Sequence, residues 1–182
     1  MDSSSGDEAR EVTLTSKHNL ASLYRAQGQY AKAEPLAREV AESWKKRAGA
    51  DSVAFARQLA FLGLVLLQQQ KASDAEPVLR ACLAIREKRA PGAWTTFAAR
   101  SQLGGSLLGQ KKYAEAEPLL FAGYEGMKAR ANSIPRQGQV SLTEAVERLV
   151  QLYDAWGKKD QADKWRQQRP EAAKARPAEK AK

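Results

Sequence analysis

Few residues of this sequence have side chains that could carry out catalysis or hold a metal. It contains one histidine, His18, and one cysteine, Cys82. Neither stands in a motif with a partner nucleophile or base, and the two together cannot supply the four ligands of a structural zinc site. We therefore predict a protein that is not an enzyme and uses no cofactor or metal. His18 is then an ordinary groove or surface residue, and Cys82 is either a small buried hydrophobic residue or a reactive thiol.

One glycine-rich stretch invites comparison with a phosphate-binding loop. Residues 104–109 read Gly-Gly-Ser-Leu-Leu-Gly. The stretch lacks the Lys-Ser/Thr ending of a phosphate loop, and no strand pattern precedes it. It therefore predicts no nucleotide site.

Composition and charge point to a protein without membrane spans. The 182 residues carry a net charge of +9, and nine of the basic residues lie from Lys158 onward against four acidic ones. The acidic, polar N-terminus is not a signal peptide, and the longest apolar run, residues 59–67, is far shorter than the roughly 20 residues that span a bilayer. A single cysteine excludes an internal disulfide and favours a reducing compartment. We predict a soluble, cytoplasmic protein.

The elements that must position any binding residues are set by an internal repeat. The triplet Ala-Glu-Pro occurs at residues 33–35, 75–77 and 116–118, and a weaker copy, Ala-Asp-Lys, at residues 162–164. A recurrence every 40 or so residues is the signature of stacked repeats. Each repeat is one unit of structure that buries its apolar side against its neighbours.

The apolar residues of each repeat follow a helical period. Leu20 and Tyr24 lie four residues apart, on one face of a helix. The small residue after the leucine, which is Ala21, Gly63 or Gly104, predicts a close approach of another helix, since glycine inside a helix costs about 1 kcal/mol relative to alanine. We predict first helices over residues 8–27, 52–69, 95–109 and 140–156, and second helices over residues 32–48, 74–90, 114–131 and 159–168.

Glycine and proline mark where these helices end and begin. Gly28, Gly109 and Gly157 follow or close the first helices and can supply a positive φ there, whereas the turn at residues 70–72 has no glycine. Proline is tolerated near a helix start because the first amides have no partner. Each Ala-Glu-Pro proline therefore predicts that its helix begins a few residues upstream.

The resulting organisation is an all-α, right-handed superhelical solenoid of about four antiparallel helix pairs. We predict a repeat domain over residues 8–168, with repeats at 8–50, 51–92, 94–133 and 138–168. Residues 1–7 and the basic tail, residues 169–182, are predicted to be disordered, because the tail has no large apolar residue to bury.

The repeat resembles a known family. The stretches Leu20-Ala21-Ser22-Leu23-Tyr24 and Gly28-Gln29-Tyr30, with Ala33, match the tetratricopeptide repeat, and residues 110–120 are similar to its kinesin-light-chain type, which is common in bacteria. The resemblance implies a concave groove, lined by the first helix of each pair, that binds a peptide or partner protein. By position the lining would comprise His18, Asn19, Ser22, Arg25, Arg57, Phe61, Leu64, Gln68, Ser101, Gln102 and Gln151.

Some alternatives stay open. The segment at residues 59–67 is apolar nearly all round, so it is either fully buried or offers a binding face. Residues 123–157 resemble the C-terminal regions of bacterial repeat proteins, some of which carry a serine/threonine kinase domain upstream, so the chain is alternatively the interaction region of such a protein. Nucleic-acid binding through the basic tail is a third, less favoured reading, because no aromatic residue beyond Trp165 is available for base stacking. The oligomeric state is not predicted.

Overall fold

The computed structural model of the chain describes the backbone of residues 3–168 and the side chains of residues 12–168. Within that range it contains eight α-helices and no strand. They are α1 (Ser3–Ala26), α2 (Tyr30–Ala48), α3 (Val53–Gln68), α4 (Ala72–Arg89), α5 (Trp94–Gly109), α6 (Tyr113–Lys128), α7 (Gln139–Ala155) and α8 (Lys159–Gln167). The predicted all-α class with four helix pairs is confirmed. The predicted tail, residues 169–182, lies outside the described residues.

The helices fall into two compact units, Met1–Pro91 and Gly92–Lys182. In the first unit α1 packs against α2, α2 against α3, and α3 against α4. In the second, α5 packs against α6, α6 against α7, and α7 against α8, with α5 also touching α7. Each unit therefore holds two consecutive repeats. In each unit the second helix of the first repeat packs against the first helices of both repeats.

The second helices begin upstream of their prolines, as predicted. Pro35, Pro77 and Pro118 each stand at the sixth position of their helix. This position lies just beyond the amides that lack a partner at a helix start, so each proline gives up one bond of the helical ladder. The prolines therefore lie one or two residues further into their helices than the predicted starts placed them.

The turns after the first helices differ in their chemistry. Gly28 and Gly157 adopt φ values of 73° and 77°, as the sequence indicated. In the third repeat the left-handed residue is Lys111, at φ 62°, because Gly109 still belongs to α5. In the second repeat Gln70 takes this conformation, at φ 61°. Two residues that disfavour positive φ thus occupy positions suited to glycine.

The small residues on the first helices mark close helix contacts. A Cβ added to Gly104 would lie 2.7 Å from Leu120 Cγ and 3.1 Å from the Leu120 backbone nitrogen. A Cβ on Gly63 would overlap the side chain of Leu79. Gly63 thus lets α3 approach α4, and Gly104 lets α5 approach α6. This prediction from the repeat pattern is confirmed.

The first repeat is less buried than its sequence indicated. Leu20 is 41% exposed, and Tyr24 is only half-buried. The equivalent residues of the second repeat, Leu62 and Leu66, are 4% and 0% exposed. The difference arises because α3 is covered by α2 as well as by α4, whereas the side of α1 that carries Leu20 is not covered by any described helix.

Candidate functional site

The first helices of the first unit carry seven of the predicted groove residues on facing sides. His18, Ser22 and Arg25 follow one another along one face of α1, spaced four and three residues apart, and Arg57, Phe61, Leu64 and Gln68 do the same on α3. The rings of His18 and Phe61 lie 4.8 Å apart between centroids, and the guanidinium carbon of Arg25 lies 5.8 Å from the Phe61 ring centroid. We call this surface the α1/α3 face.

The charge of the α1/α3 face is entirely positive. Residues 12–26 of α1 and all of α3 contain no aspartate or glutamate. Lys17 is paired with Glu39 of α2, but within the part of the chain with described side chains Arg25 and Arg57 make no ion pair. A guanidinium group that has no carboxylate partner is available to bind an anionic group of a ligand.

The polar groups on this face are incompletely satisfied. The Nδ1 of His18, the Nε of Arg25 and the Oε1 of Gln58 are buried, and none has a hydrogen-bond partner among the described residues. Buried polar atoms without partners are uncommon in folded proteins and call for a specific explanation. Gln58 was not among the predicted residues, although a glutamine inside the apolar sequence of α3 was a visible signal.

His18 is held in its neutral form. Burial lowers the pKa of His18 below 6.5, and the positive charge of Arg57 lowers it further, while the side chain of Gln58 acts in the opposite direction. The imidazole is therefore uncharged near pH 7 and keeps one nitrogen as an acceptor. His18 adds hydrogen-bonding capacity to the face without adding to its charge.

The remaining predicted residues of the first unit border this cluster. Asn19 and Gln68 are exposed, and Ser22 and Leu64 are half-buried. On α3, Leu62, Val65 and Leu66 are buried, whereas Phe61 and Leu64 stay partly accessible. The apolar segment of α3 is thus both a core element and a contributor of accessible apolar surface.

The second unit does not present its predicted residues in the same way. Ser101 is fully buried, and Gln102 is 7% exposed. The Ser101 hydroxyl accepts a hydrogen bond of 3.2 Å from Nη1 of Arg148, and Arg148 also pairs with Glu144 at 3.0 Å. A Cβ added to Gly123 of α6 would lie 2.8 Å from the Ser101 backbone nitrogen. Because α6 and Arg148 both cover this part of α5, only Gln151 of the predicted residues on this unit is exposed.

Cys82 is a packing residue. Its side chain is fully buried, and its Sγ lies 3.2 Å from the carbonyl oxygen of Ala56. Burial raises the pKa of the Cys82 thiol, so the thiolate form needed for reactivity is disfavoured. In the part of the chain that the structure describes, no group of three His, Cys, Asp or Glu side chains has the arrangement of a metal site.

The described helices form helix-hairpin repeats. Comparison with known proteins shows which repeats they resemble. Residues 12–88 match the family model described as Tetratricopeptide repeat. The match confirms, for these residues, the resemblance noted in the sequence. Such repeats generally mediate protein–protein interaction and are typically non-catalytic. No curated protein sequence matches the chain.

Solved structures agree on the fold. Two structures of the nearly identical TPR-like repeats of a kinesin light chain candidate from Podosopora anserina are each 21% identical to this chain, covering 85% of it and 72% of their own length, with TM-scores of 0.64 and 0.62. BtubC (BKLC) from P. vanneervenii is 17% identical, covers 94% of this chain and 70% of its own, and has a TM-score of 0.67. The fold is thus that of kinesin-light-chain-like repeats. Within residues 3–168 no helix is both long enough and apolar enough to cross a membrane.

Proposed function

We propose that the first unit binds a peptide segment of a partner protein on the α1/α3 face, as a scaffold without catalytic chemistry. The observation that carries this proposal is the contact between two helices at one aromatic ring: Phe61 of α3 meets both His18 and Arg25 of α1. A partly accessible aromatic residue beside two unpaired guanidinium groups has the composition of an interface hot spot, which is enriched in aromatic residues and arginine.

The chemistry of the face favours an acidic peptide. Arg25 and Arg57 can each donate two parallel hydrogen bonds to a carboxylate, and the α1/α3 face has no acid of its own to compete. Phe61 and Leu64 offer apolar contact between these charges. Asn19, Ser22 and Gln68 can donate to and accept from a peptide backbone. Little ordering is needed on binding, because the side chains stand on helices held by α2.

The predicted groove residues of the second unit contribute differently to this proposal. Gln151 is exposed and stays a candidate contact residue. Ser101 and Gln102 are covered in this conformation, so we assign them a supporting role, with Ser101 holding Arg148 in place through the 3.2 Å hydrogen bond. The link to a serine/threonine kinase and the exclusion of nucleic acid stay predictions.

Selection from a random peptide library displayed on phage tests the proposal, because such a library offers acidic, basic and apolar peptides alike. We expect the peptides enriched on the full chain to be rich in Asp and Glu. Phe61→Ala should weaken the binding of those peptides by about tenfold or more. Phe121→Ala is the matched control, because Phe121 is an aromatic residue that is 49% exposed on another helix.

Two results would remove the proposal. The first is enrichment of peptides with no excess of acidic residues. The second is equal loss of binding in the Phe61→Ala and Phe121→Ala variants, when circular dichroism shows both to be folded.

A further inference from the structure

One side of α1 carries apolar residues that no described helix covers. Ser16, Leu20 and Leu23, with Val12 one turn before them, are spaced four, four and three residues apart and so lie along one side of the helix. Val12 is 66% exposed, Leu20 41% and Leu23 52%. They are three of the six large hydrophobic residues exposed in the part of the chain with described side chains. We call these four residues the outer stripe of α1.

The same repeat positions are buried elsewhere in the chain. The equivalents of Ser16, Leu20 and Leu23 on α3 are Gln58, Leu62 and Val65, which are 2%, 4% and 0% exposed. On α7 the equivalents Ala145, Leu149 and Leu152 are each 0% exposed.

The helix that precedes α3 or α7 explains this burial. In the first unit α2 packs against α3, and in the second unit α6 packs against α7. In both cases the covering helix is the second helix of the preceding repeat. The repeat architecture therefore specifies what kind of element fits these positions, and on α1 no described helix supplies it.

We propose that the outer stripe of α1 is a docking surface for an amphipathic helix of a partner protein. The partner helix would resemble α2 in the residues that it buries. The buried residues of α2 are Ala33, Ala37, Val40 and Ala41. The partner helix should likewise present small and aliphatic residues, with its charges on the opposite side.

The electrostatics of the outer stripe fit such a partner. Its four residues are uncharged, and the nearest lysine along the helix, Lys17, is engaged by Glu39 of α2. A charged, extended peptide would find no counter-charge on it, in contrast to the α1/α3 face. Residues 12–23 rise by roughly 17 Å along the helix axis, which a partner helix of three or four turns can cover. The two surfaces of α1 therefore select different ligands.

A peptide with the sequence of residues 29–49, acetylated and fluorescently labelled, is a suitable probe because it contains α2. We expect it to bind the full chain saturably, with fluorescence anisotropy as the readout. Leu23→Glu should weaken binding by about tenfold or more, because it places a charge in an apolar contact. Val53→Gln is the matched control: Val53 is 46% exposed on α3 of the same unit, and its replacement should leave the affinity unchanged.

A second variant separates a loss of binding from a loss of folding. Leu20→Gln changes a residue that is already 41% exposed, so it should leave the fold intact and still weaken binding. The proposal is overturned if the peptide shows no saturable binding up to about 1 mM, or if Leu23→Glu and Leu20→Gln bind as tightly as the unaltered chain. It is also overturned if sedimentation shows the chain to self-associate through these residues, since the occupant would then be a second copy.

Discussion

Glu34 in α2 accepts a hydrogen bond of 2.6 Å from the Nζ of Lys71, a residue 37 positions later in the next repeat. Gln69, in the same turn as Lys71, donates to the same carboxylate at 2.9 Å. A related link occurs in the second unit, where Glu117 of the third repeat accepts a 2.8 Å hydrogen bond from the hydroxyl of Tyr153 in α7. The glutamate of the Ala-Glu-Pro motif thus ties its repeat to the end of the next first helix in each unit.

Replacing Glu34 should therefore weaken the contact between the first two repeats. We expect Glu34→Gln to lower the free energy of unfolding by about 1.5–3 kcal/mol, the size of a hydrogen bond to a charged group. Urea unfolding measures this loss. Glu42→Gln serves as the control, because Glu42 lies on the same helix and only approaches Lys46 at 4.0 Å. An equal effect of the two substitutions would show that Glu34 has no special role.

The contribution of Glu34 should also depend on pH. The hydrogen bond from Lys71 lowers the pKa of Glu34 from 4.5 to about 2, with further bonds from Gln69 and Arg38 acting against the effect of burial. Because this pKa is lower in the folded state than in the unfolded state, the stabilisation is complete above pH 4.5 and is lost as the pH falls toward 2. The stability difference between the unaltered chain and Glu34→Gln should shrink over that interval, and a constant difference would contradict the assignment.

The turn after α3 should be improved by glycine. Gln70 has φ 61°, a conformation that is unfavourable for residues with a Cβ. We expect Gln70→Gly to raise the free energy of unfolding by about 0.5–1 kcal/mol. The reverse change, Gly28→Ala, should destabilise by about 1 kcal/mol, since Gly28 has φ 73° and its Cβ would meet no atom. A loss of stability in Gln70→Gly would mean that the glutamine side chain matters more than the backbone.

The close contact between α5 and α6 should not tolerate a methyl group. We expect Gly104→Ala to destabilise by about 2 kcal/mol, because its Cβ would press on Leu120, including the backbone nitrogen at 3.1 Å. Gly92→Ala is the control, since nothing lies within 4 Å of a Cβ at that position. Thermal unfolding followed by circular dichroism distinguishes the two. An unchanged midpoint in Gly104→Ala would show that the helices can separate at no cost.

The pKa of His18 should respond to Arg57. Since the charge of Arg57 lowers the pKa of His18 together with burial, Arg57→Gln should raise that pKa toward 6.5. The chain has one histidine, so its imidazole signals are unambiguous in a proton NMR titration. Because a lowered histidine pKa means that protonation opposes folding, the unaltered chain should lose stability as the pH falls below 6.5, and the variant should lose less. A pKa that stays the same would place Arg57 away from His18.

Much of this architecture followed from local sequence signals. The Ala-Glu-Pro triplets and the apolar spacing predicted eight helices, with boundaries that mostly fall within a few residues of those observed. The largest difference is at α1, which begins at Ser3, upstream of the predicted residue 8. The small positions at Gly63 and Gly104 were readable because a glycine inside a helix needs a packing reason.

Properties that depend on neighbouring helices were not readable in the same way. The burial of Ser101 depends on Gly123 and Arg148, which lie far away in sequence. The exposure of Leu20 depends on the fact that no described helix packs beside it. The link from Glu34 to Lys71 was missed because a glutamate near a helix N-terminus already has a local explanation in the helix dipole. In each case the local sequence pattern agreed with the prediction. The burial or the hydrogen bond was determined by residues or helices that are distant in sequence.

The most direct test of peptide binding by the α1/α3 face is NMR of the full chain during titration with a selected acidic peptide. His18 reports on this face because its ring lies 4.8 Å from that of Phe61. The account predicts that the imidazole signals of His18 shift with the same saturation curve as binding, and that Phe61→Ala abolishes the shift. Saturable binding that leaves the His18 signals unchanged while those of α5 to α8 move would contradict it.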